Sequence, residues 1–392
     1  MAERRSGPGP LAGLKVVEFA GIGPGPMCGM VLADLGAEVL RLDRMVPSGL
    51  GVERPPHFDL LNRGKRTVSV DLKAADGVAF AQRVVACSDA LIEGFRPGTM
   101  ERLGLGPEPC LARHAKLVYG RVTGFGQTGP LAPAAGHDLN YIALSGALHA
   151  IGRAGGPPTP PLNLVGDFGG GGLLLAFGML AALWNVQRGG AGQVVDAAMV
   201  DGAAMLMTSM FGLYASGTHD RPRGGNLLDS GAPHYEVYRC ADGGWVSVAP
   251  IEPKFRTVLF ERLGLAPDAF DFDDAARWPE AKARLAELFA TRTRAQWCEL
   301  LEGSDACFAP VLAPQEAHEH AHNRARATFI EPGGVRQPAP APRFLGTPAG
   351  EPRPPHSDDA GAFEQLRRWG VPATEIEALA AGGRLRAGGP RK

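Results

Sequence analysis

Apolar residues in the first part of the chain form short continuous runs separated by segments with helical spacing. Leu14 to Phe19 and Glu38 to Asp43 are runs that predict buried strands, and Pro26 to Leu35 between them predicts a helix. Thr67 to Leu72 predicts a further strand. Strands that alternate with helices in this way form parallel sheets. The pattern therefore predicts an α/β domain, which we place at residues 1–220.

The hydrophobic pattern changes further along the chain. Gly169 to Gln187 carries almost no charge and predicts a long buried helix. Two strand-like runs around the turn Ala241 to Gly244 predict a hairpin, which opens a smaller α+β domain at residues 221–330. Residues 331–392 begin with a proline-rich segment, so we expect an extended strap and a short helix there.

Composition narrows the class of protein. The chain has 392 residues, of which 45% are hydrophobic and 21% charged, and its formal net charge is −1. A nucleic-acid-binding protein would need a basic face, so we expect no such partner. The N-terminus has no apolar segment typical of a secretory signal, and the longest apolar stretch, Leu173 to Trp184, is too short for a membrane span. These features predict a cytoplasmic protein that does not enter a membrane.

Two titratable residues lie where helices are predicted to begin. His137 precedes a segment, Asp138 to His149, with helical spacing, and Asp167 precedes a run of four glycines that opens the apolar helix. Either residue could simply cap its helix, and a lone histidine is most often a surface residue. The glycine run favours a functional site, because glycine allows a ligand to approach the backbone closely.

Three motifs around these residues resemble a known family. They are GFGQTGP (Gly124 to Pro130), AGHDLNYIALSGAL (Ala135 to Leu148) and PPLNLVGDFGGGG (Pro160 to Gly172). The sequence resembles the alpha-methylacyl-CoA racemases of the class III CoA-transferase superfamily from about Leu11 to about Pro355. The resemblance implies a Rossmann-like large domain, a smaller α+β domain, and a homodimer of two interlocked chains with the active site at the subunit interface.

The resemblance also implies roles for particular residues. His137 and Asp167 would be the acid/base pair, Glu252 would hydrogen-bond His137, and Asn163 would assist near Asp167. The residues implied to bind the acyl-CoA are Arg44, Val70, Asp71, Leu72, Lys73, Gly94, Arg96, Arg102, Gly136, Asp138 and Tyr141. No metal or redox cofactor is expected, since CoA is part of the substrate.

The expected activity is inversion of C2 in a 2-methyl-branched acyl-CoA through an enolate. The thioester acidifies the C2 hydrogen, one group removes it, and the other returns a proton to the opposite face. The alternative is a class III CoA-transferase in which Asp167 attacks a thioester. A third hypothesis is a CoA-ester-binding protein without turnover.

Three other features suggest different functions. Gly21 to Pro26 followed by Asp43 partly matches a dinucleotide fingerprint, but Pro26 occupies the third glycine position. His318 to His322 matches the HExxH pattern of zinc proteases on a probable helix, which we interpret as solvated. The basic turn Asn62 to Arg66 is either a solvated loop or, by the resemblance, adjacent to the CoA site.

Overall fold

The structure is a computed structural model that describes residues 7–266, 268–355, 359 and 361–390. The N-terminal residues 1–6, where we expect no secretory signal, and the last two residues lie outside this range. The chain forms two compact units. The first contains the residues up to Ser145, Leu162–Leu206 and those from Ala325 onward, and the second contains Gly146–Pro161 and Met207–Arg324.

The strands in chain order are β1 (Lys15–Phe19), β2 (Glu38–Asp43), β3 (Arg66–Val70), β4 (Ala90–Glu93), β5 (Val118–Thr123), β6 (Gln193–Ala198), β7 (Glu236–Arg239), β8 (Trp245–Val248), β9 (Phe308–Val311), β10 (Phe329–Ile330), β11 (Gln337–Pro338) and β12 (Leu385–Ala387). The α-helices are α1 (Pro24–Asp34), α2 (Ala75–Ala86), α3 (Thr99–Arg102), α4 (Pro107–Arg113), α5 (Asp138–Leu144), α6 (Ala147–Ala150), α7 (Leu174–Gln187), α8 (Met199–Leu206), α9 (Thr208–Ala215), α10 (Pro253–Leu263), α11 (Trp278–Phe289), α12 (Arg294–Leu301), α13 (Ala321–Ala325), α14 (Gly361–Trp369) and α15 (Ala373–Ala381).

The first unit is built on a seven-stranded sheet with the order β12-β3-β2-β1-β4-β5-β6. All neighbours are parallel except β12, which pairs antiparallel with β3. Successive side chains of a strand point to opposite faces, so Val16 and Val17 enter different cores. Val17 packs with residues of α2, α14 and α15, whereas Val16 packs with residues of α1 and α7. Helices thus cover both faces, as in doubly wound folds.

The second unit contains a three-stranded antiparallel sheet in the order β7-β8-β9. The predicted hairpin is present, with Glu236 opposite Val248, and β9 is a third strand that the sequence analysis did not predict. Helices α10, α11 and α12 supply Leu259, Leu285 and Trp297 to its core. The unit is therefore an α+β fold with its own hydrophobic core.

The boundaries between units differ from those predicted. Gly146 has a φ of 87° and ends the helix predicted to reach His149, which is instead divided into α5 and α6. Helices α8 and α9 are also separate, and Met207 lies between them. The second unit therefore takes in residues 146–161 and begins again at Met207, before the predicted boundary at residue 220.

The apolar helix begins earlier than predicted. Its first part, Leu164–Leu173, has the wider winding of a π-helix and continues directly into α7. Within the described residues, one helix, Leu164–Gln187, is long and apolar enough to cross a membrane. An 18-residue stretch of this helix has a mean hydropathy of 1.6, and 39% of that stretch is buried. A core helix of a globular protein meets the same criteria, so this is weak evidence for a membrane span.

The C-terminal segment contains more structure than the expected strap and single helix. β10 and β11 form a small antiparallel pair, and Gln337 accepts a hydrogen bond of 2.9 Å from Arg63. After the expected helix, α15 and β12 follow, and Leu385 of β12 lies opposite Val70. Residues from Ala325 onward belong to the first unit.

Candidate active site

The order of the strands marks one edge of the large sheet as the place for a ligand. From β1 the chain proceeds outward through β2 and β3, and then returns to β4 on the other side of β1. The connections that leave the carboxyl ends of β1 and β4 therefore run in opposite directions and leave a crevice, where open α/β sheets bind their ligands. The loops at this crevice are residues 20–23 and 94–98.

Asp167 lies in the first turn of the π-helix and is half-buried. Its Oδ2 accepts a hydrogen bond of 3.2 Å from the side chain of Asn163, the residue before the helix. A methyl group at Gly23, the residue before α1, would lie 3.0 Å from the same Oδ2. Gly23 has a φ of 66°, which also favours glycine. The Asp167 carboxylate therefore reaches the loop that follows β1, at the edge of the crevice.

The four glycines after Asp167 have a packing role that we did not predict. A methyl group at Gly170 would lie 2.6 Å from the backbone nitrogen of Ala203 in α8, and one at Gly172 would lie 2.8 Å from the carbonyl oxygen of Pro24 in α1. The glycines thus let the backbones of three helices approach closely. At Gly170 and Gly172 neighbouring helices occupy the space that a side chain would fill. The close approach of a ligand to this run stays a prediction.

His137 is the residue before α5, and its side chain is exposed. The side-chain oxygen of Asn140 accepts the His137 backbone N–H at 3.0 Å. The next residue, Asp138, is buried, and its Oδ1 accepts the backbone N–H of Asp167 at 2.6 Å. A methyl group at Gly166 would lie 2.5 Å from that oxygen. This bond joins the start of α5, which carries the imidazole, to the turn that carries the Asp167 carboxylate.

Tyr141 supports this loop from within the first unit. Its hydroxyl donates a short hydrogen bond to the carbonyl of Gly136, and its ring meets Phe125 edge to face at 4.9 Å. A methyl group at Gly124 would lie 2.0 Å from the tyrosine ring. The glycines of two motifs therefore make room for one buried ring. The Tyr141 hydroxyl is committed to the loop before His137.

The environment of Asp167 favours its neutral form. Burial is the largest cause that raises the pKa of this carboxyl, and the negative charge of Asp138 raises it further, although the bond from Asn163 and the charge of His137 act in the opposite direction. Burial also raises the pKa of Tyr141 to about 12, with the charge of Asp167 adding to it and that of Arg96 opposing it. A carboxyl with a raised pKa is suited to both giving and taking a proton.

Known proteins of similar sequence identify the family of this chain. The family model described as CoA-transferase family III matches residues 11–359. The chain belongs to this family. It is 46% identical over 373 residues to the alpha-methylacyl-CoA racemase of Mus musculus, covering 94% of this chain and 96% of that protein. It is 47% identical over 345 residues to the alpha-methylacyl-CoA racemase of Homo sapiens, covering 86% and 87%.

The fold agrees with the family. A solved structure of a CAIB/BAIF family protein from Brucella suis superposes with a TM-score of 0.77 at 27% identity, covering 92% of this chain and 99% of that chain. The prediction of an α/β fold of the class III CoA-transferase type is thereby confirmed. The resemblance read from the three motifs is confirmed as well.

In this family III chain, Glu252 belongs to the second unit. It precedes α10 and its side chain is exposed. Within that unit its negative charge contributes, after burial, to raising the pKa of the Cys307 thiol. The predicted hydrogen bond to His137 stays a prediction.

Eight of the eleven residues predicted to bind CoA fall into three groups in the first unit. Arg44, Gly94 and Arg96 follow the carboxyl ends of β2 and β4, beside the crevice. Val70 is the last residue of β3, one strand beyond β2, and Asp71, Leu72 and Lys73 follow it. Arg102 ends α3, exposed, and donates to the Thr99 hydroxyl at 2.9 Å.

Not every side chain in the second group is available to a ligand. Val70 is buried in the core, and Asp71 forms an ion pair of 2.6 Å with Arg384 beside β12. Leu72 packs against the same core as Val70, whereas Lys73 is exposed. From this segment, a ligand could meet the Lys73 side chain and the backbone.

The basic turn, Asn62 to Arg66, has a structural role that the sequence did not indicate. Lys65 is fully buried and donates to Glu18 Oε2 at 2.5 Å and to the carbonyl of Pro26 at 2.9 Å. Arg63 forms a buried ion pair of 2.5 Å with Asp34. Both side chains thus hold α1 against the sheet, and neither belongs to a solvated loop. The position of this turn beside the CoA site stays a prediction.

Two alternative functions lose their structural basis. The Asp43 carboxylate accepts its neighbour's backbone N–H at 2.7 Å and pairs with Arg41 at 2.7 Å, so it is not free for the ribose of a dinucleotide. The helical conformation is interrupted at His320, which has an extended ψ of 132° and separates a short 3₁₀ turn from α13. The predicted helix that would carry HExxH is therefore absent, and no group of three metal-ligating side chains occurs among the described residues.

Some residues that organise the site were not predicted from the sequence. Gly23 borders the Asp167 carboxylate, and Asn140 caps the backbone of His137. Glu93 accepts the backbone N–H of Phe95 at 2.8 Å and so shapes the loop after β4. A charged residue such as Glu93 in an otherwise apolar strand was the available signal, because such residues are rarely buried without a partner.

Proposed function

We propose that this chain is an alpha-methylacyl-CoA racemase, which inverts C2 of 2-methyl-branched acyl-CoA thioesters. The observation that carries the proposal is the bond of 2.6 Å between Asp138 and the backbone of Asp167. It holds an exposed imidazole and a half-buried carboxyl of raised pKa on two adjoining turns at the ligand-binding edge of the sheet. The curated relatives with 46% and 47% identity carry the racemase name.

The two side chains divide the proton transfers between them. The thioester carbonyl acidifies the C2 hydrogen, one of His137 and Asp167 removes it, and the other returns a proton to the opposite face. Imidazole is the side chain that most often carries protons in enzymes, and burial raises the pKa of the Asp167 carboxyl, which suits it to both giving and taking a proton. Asn163 holds Oδ2 of Asp167 and thereby orients the carboxylate.

The enolate oxygen needs hydrogen-bond donors that are already in place. The backbone N–H groups of Asp138 and Leu139 begin α5, where no preceding turn can accept their hydrogen bonds. No other acceptor for them occurs in the described part of the chain. We assign the stabilisation of the enolate to these groups, which lie beside both proton carriers. Glu252 is assigned the orientation of His137, as the resemblance implies.

A second copy of the chain is the proposed partner. Large apolar side chains are exposed on Leu164–Gln187 and on α8, with Phe177 71% and Trp184 62% exposed. Soluble monomers rarely expose continuous apolar patches of this kind. A homodimer in which this face is covered accounts for them. Light scattering at assay concentration should report twice the chain mass, and a fully active monomer would contradict the proposal.

The proposed enzyme needs no metal or redox cofactor, because the thioester itself provides the acidity of C2. CoA enters as part of the substrate. We place the enzyme in the cytoplasm, acting on branched fatty acyl groups and without a nucleic-acid or membrane partner. These points remain part of the proposal.

Transfer of CoA between carboxylic acids is the alternative activity, since the family as a whole is named for it. Transfer requires a carboxylate nucleophile but no second proton carrier. The His137→Ala variant separates the two activities, because it removes one carrier and leaves Asp167 in place. Loss of C2 inversion in this variant, with no CoA transfer to oxalate or succinate by the wild type, supports the racemase. Transfer of CoA without loss of C2 configuration would establish the alternative.

A further inference from the structure

Arg44 extends from the end of β2 without an acidic partner for its guanidinium in the described part of the chain. The adjacent carboxylate of Asp43 is occupied by Arg41 and by the Arg44 backbone N–H. The Arg44 guanidinium instead lies over the ring of Phe95, 5.6 Å from its centroid. An arginine on an aromatic face keeps its N–H edges free for another ligand while the ring holds its plane.

The two residues come from opposite sides of the crevice. Phe95 follows β4 and Arg44 follows β2, and β1 lies between these strands. Two strand spacings amount to about 9.5 Å, so the arginine side chain crosses the end of β1 to reach the ring. The Phe95 ring also meets Phe19, the last residue of β1, edge to face at 6.4 Å. The stack therefore spans the point where the strand order reverses.

The loop that carries Phe95 is fixed by a charge network centred on the buried residues Glu93 and Arg121. Glu93 Oε2 accepts the Phe95 backbone N–H at 2.8 Å, and Glu93 Oε1 accepts from Arg121 Nε at 2.7 Å. The same Arg121 donates from NH1 to Glu101 in α3 at 2.8 Å. One guanidinium from β5 thus holds the residue before the loop and a residue of the helix after it. The ring under Arg44 is held in place from both ends of its loop.

We infer that Phe95 is a positioning residue that holds the Arg44 guanidinium for the phosphate groups of the CoA thioester. The inference rests on the proposed function, because it assumes that a CoA ester occupies this crevice. Phe95 acts through Arg44 and does not touch the reacting carbon. Its loss should therefore weaken substrate binding and leave the chemical step nearly unchanged.

The test compares Phe95→Leu with Phe95→Tyr in the full-length protein. Leucine removes the aromatic face, whereas tyrosine keeps it. We expect Phe95→Leu to raise the KM for a 2-methylacyl-CoA and the Kd for free CoA by about 3- to 10-fold, with kcat within about twofold. Phe95→Tyr should restore values near those of the wild type. The KM for the corresponding acyl-pantetheine, which lacks the nucleotide and its phosphates, should not change.

A double-mutant cycle distinguishes positioning from general loosening of the fold. In an Arg44→Ala background, Phe95→Leu should have no further effect on the Kd for CoA. As a control, Phe270→Leu removes a similar stack, Arg284 over Phe270 at 4.7 Å, in the second unit. It should leave the Kd for CoA unchanged.

Three results would overturn the inference. They are an unchanged Kd in Phe95→Leu, an equal loss in the Arg44→Ala background, and an equal fall of kcat and kcat/KM. The Kd for free CoA is measured without turnover. A wild type that binds CoA but does not exchange C2 hydrogen thus contradicts the racemase proposal alone, whereas one that binds no CoA contradicts both.

Discussion

Replacing Gly23 by alanine tests the position assigned to the Asp167 carboxylate. The new methyl group would lie 3.0 Å from Oδ2 and 3.3 Å from Cγ of Asp167, closer than ordinary contacts allow. Gly23 also has φ 66° and ψ −116°, a conformation that costs a residue with a side chain about 1–3 kcal/mol. We therefore expect a lower melting temperature and a carboxylate displaced by a few tenths of an ångström.

The displacement should be visible in the rate. A misplacement of about 1 Å can cost about 100-fold, so we expect C2 exchange to fall by roughly 10- to 100-fold in Gly23→Ala. Gly13→Ala is the matched control. Gly13 has a φ of 86° and no atom within 4 Å of the added methyl group, so the variant introduces backbone strain without touching Asp167. Wild-type exchange in Gly23→Ala, measured by deuterium incorporation on folded protein, would refute the assigned position.

Three further predictions concern the groups around the carboxyl. The pKa of Asp167 is raised in the native state, so folding favours the neutral carboxyl. The resulting contribution to the free energy of unfolding is present below the pKa of the unfolded chain and is lost as pH rises through the pKa of the folded state. Asp167→Asn, although inactive, should therefore melt above the wild type at pH 7, with a difference that shrinks toward pH 3; a lower melting temperature at pH 7 would count against the buried carboxylate. Asp138→Asn removes a negative charge that raises the pKa of Asp167. In the direction where Asp167 is the base, the acidic limb of the pH–rate profile for exchange should therefore move to lower pH, and a shift to higher pH would contradict this. Tyr141→Phe leaves the half-buried Gly136 carbonyl without its donor, which should lower the free energy of unfolding by about 1–2 kcal/mol in urea. An unchanged value would show that the bond is dispensable.

The elements with strong periodicity were predictable from sequence. Leu14 to Phe19 contains β1, and Glu38 to Asp43 coincides with β2. The position of Asp167 was harder, because glycines usually end or open helices. Here Gly170 and Gly172 lie inside the π-helix, where they are required by the close approach of α8 and α1. That requirement comes from tertiary contacts and has no local signature.

The roles of buried charged residues were also not predictable from the sequence. The basic turn around Lys65 has the sequence of a solvated loop, yet Lys65 is paired with Glu18 beneath α1. The partners are 47 positions apart in sequence, so local patterns could not reveal the pair. The candidate pair of His137 and Asp167 was recognisable from its motifs, whereas the bond through Asp138 that links their two turns required the structure.

The fate of the C2 hydrogen tests the roles of His137 and Asp167 most directly. Pure (2R)- and (2S)-2-methylacyl-CoA are incubated separately with the protein in deuterium oxide, and deuterium content and configuration at C2 are measured together. We predict that each epimer yields both epimers with deuterium at C2, and that His137→Ala and Asp167→Asn each abolish inversion while free CoA still binds. Retention of configuration without deuterium in the wild type, or full inversion in either variant, would contradict the assignment of these residues as the two proton carriers.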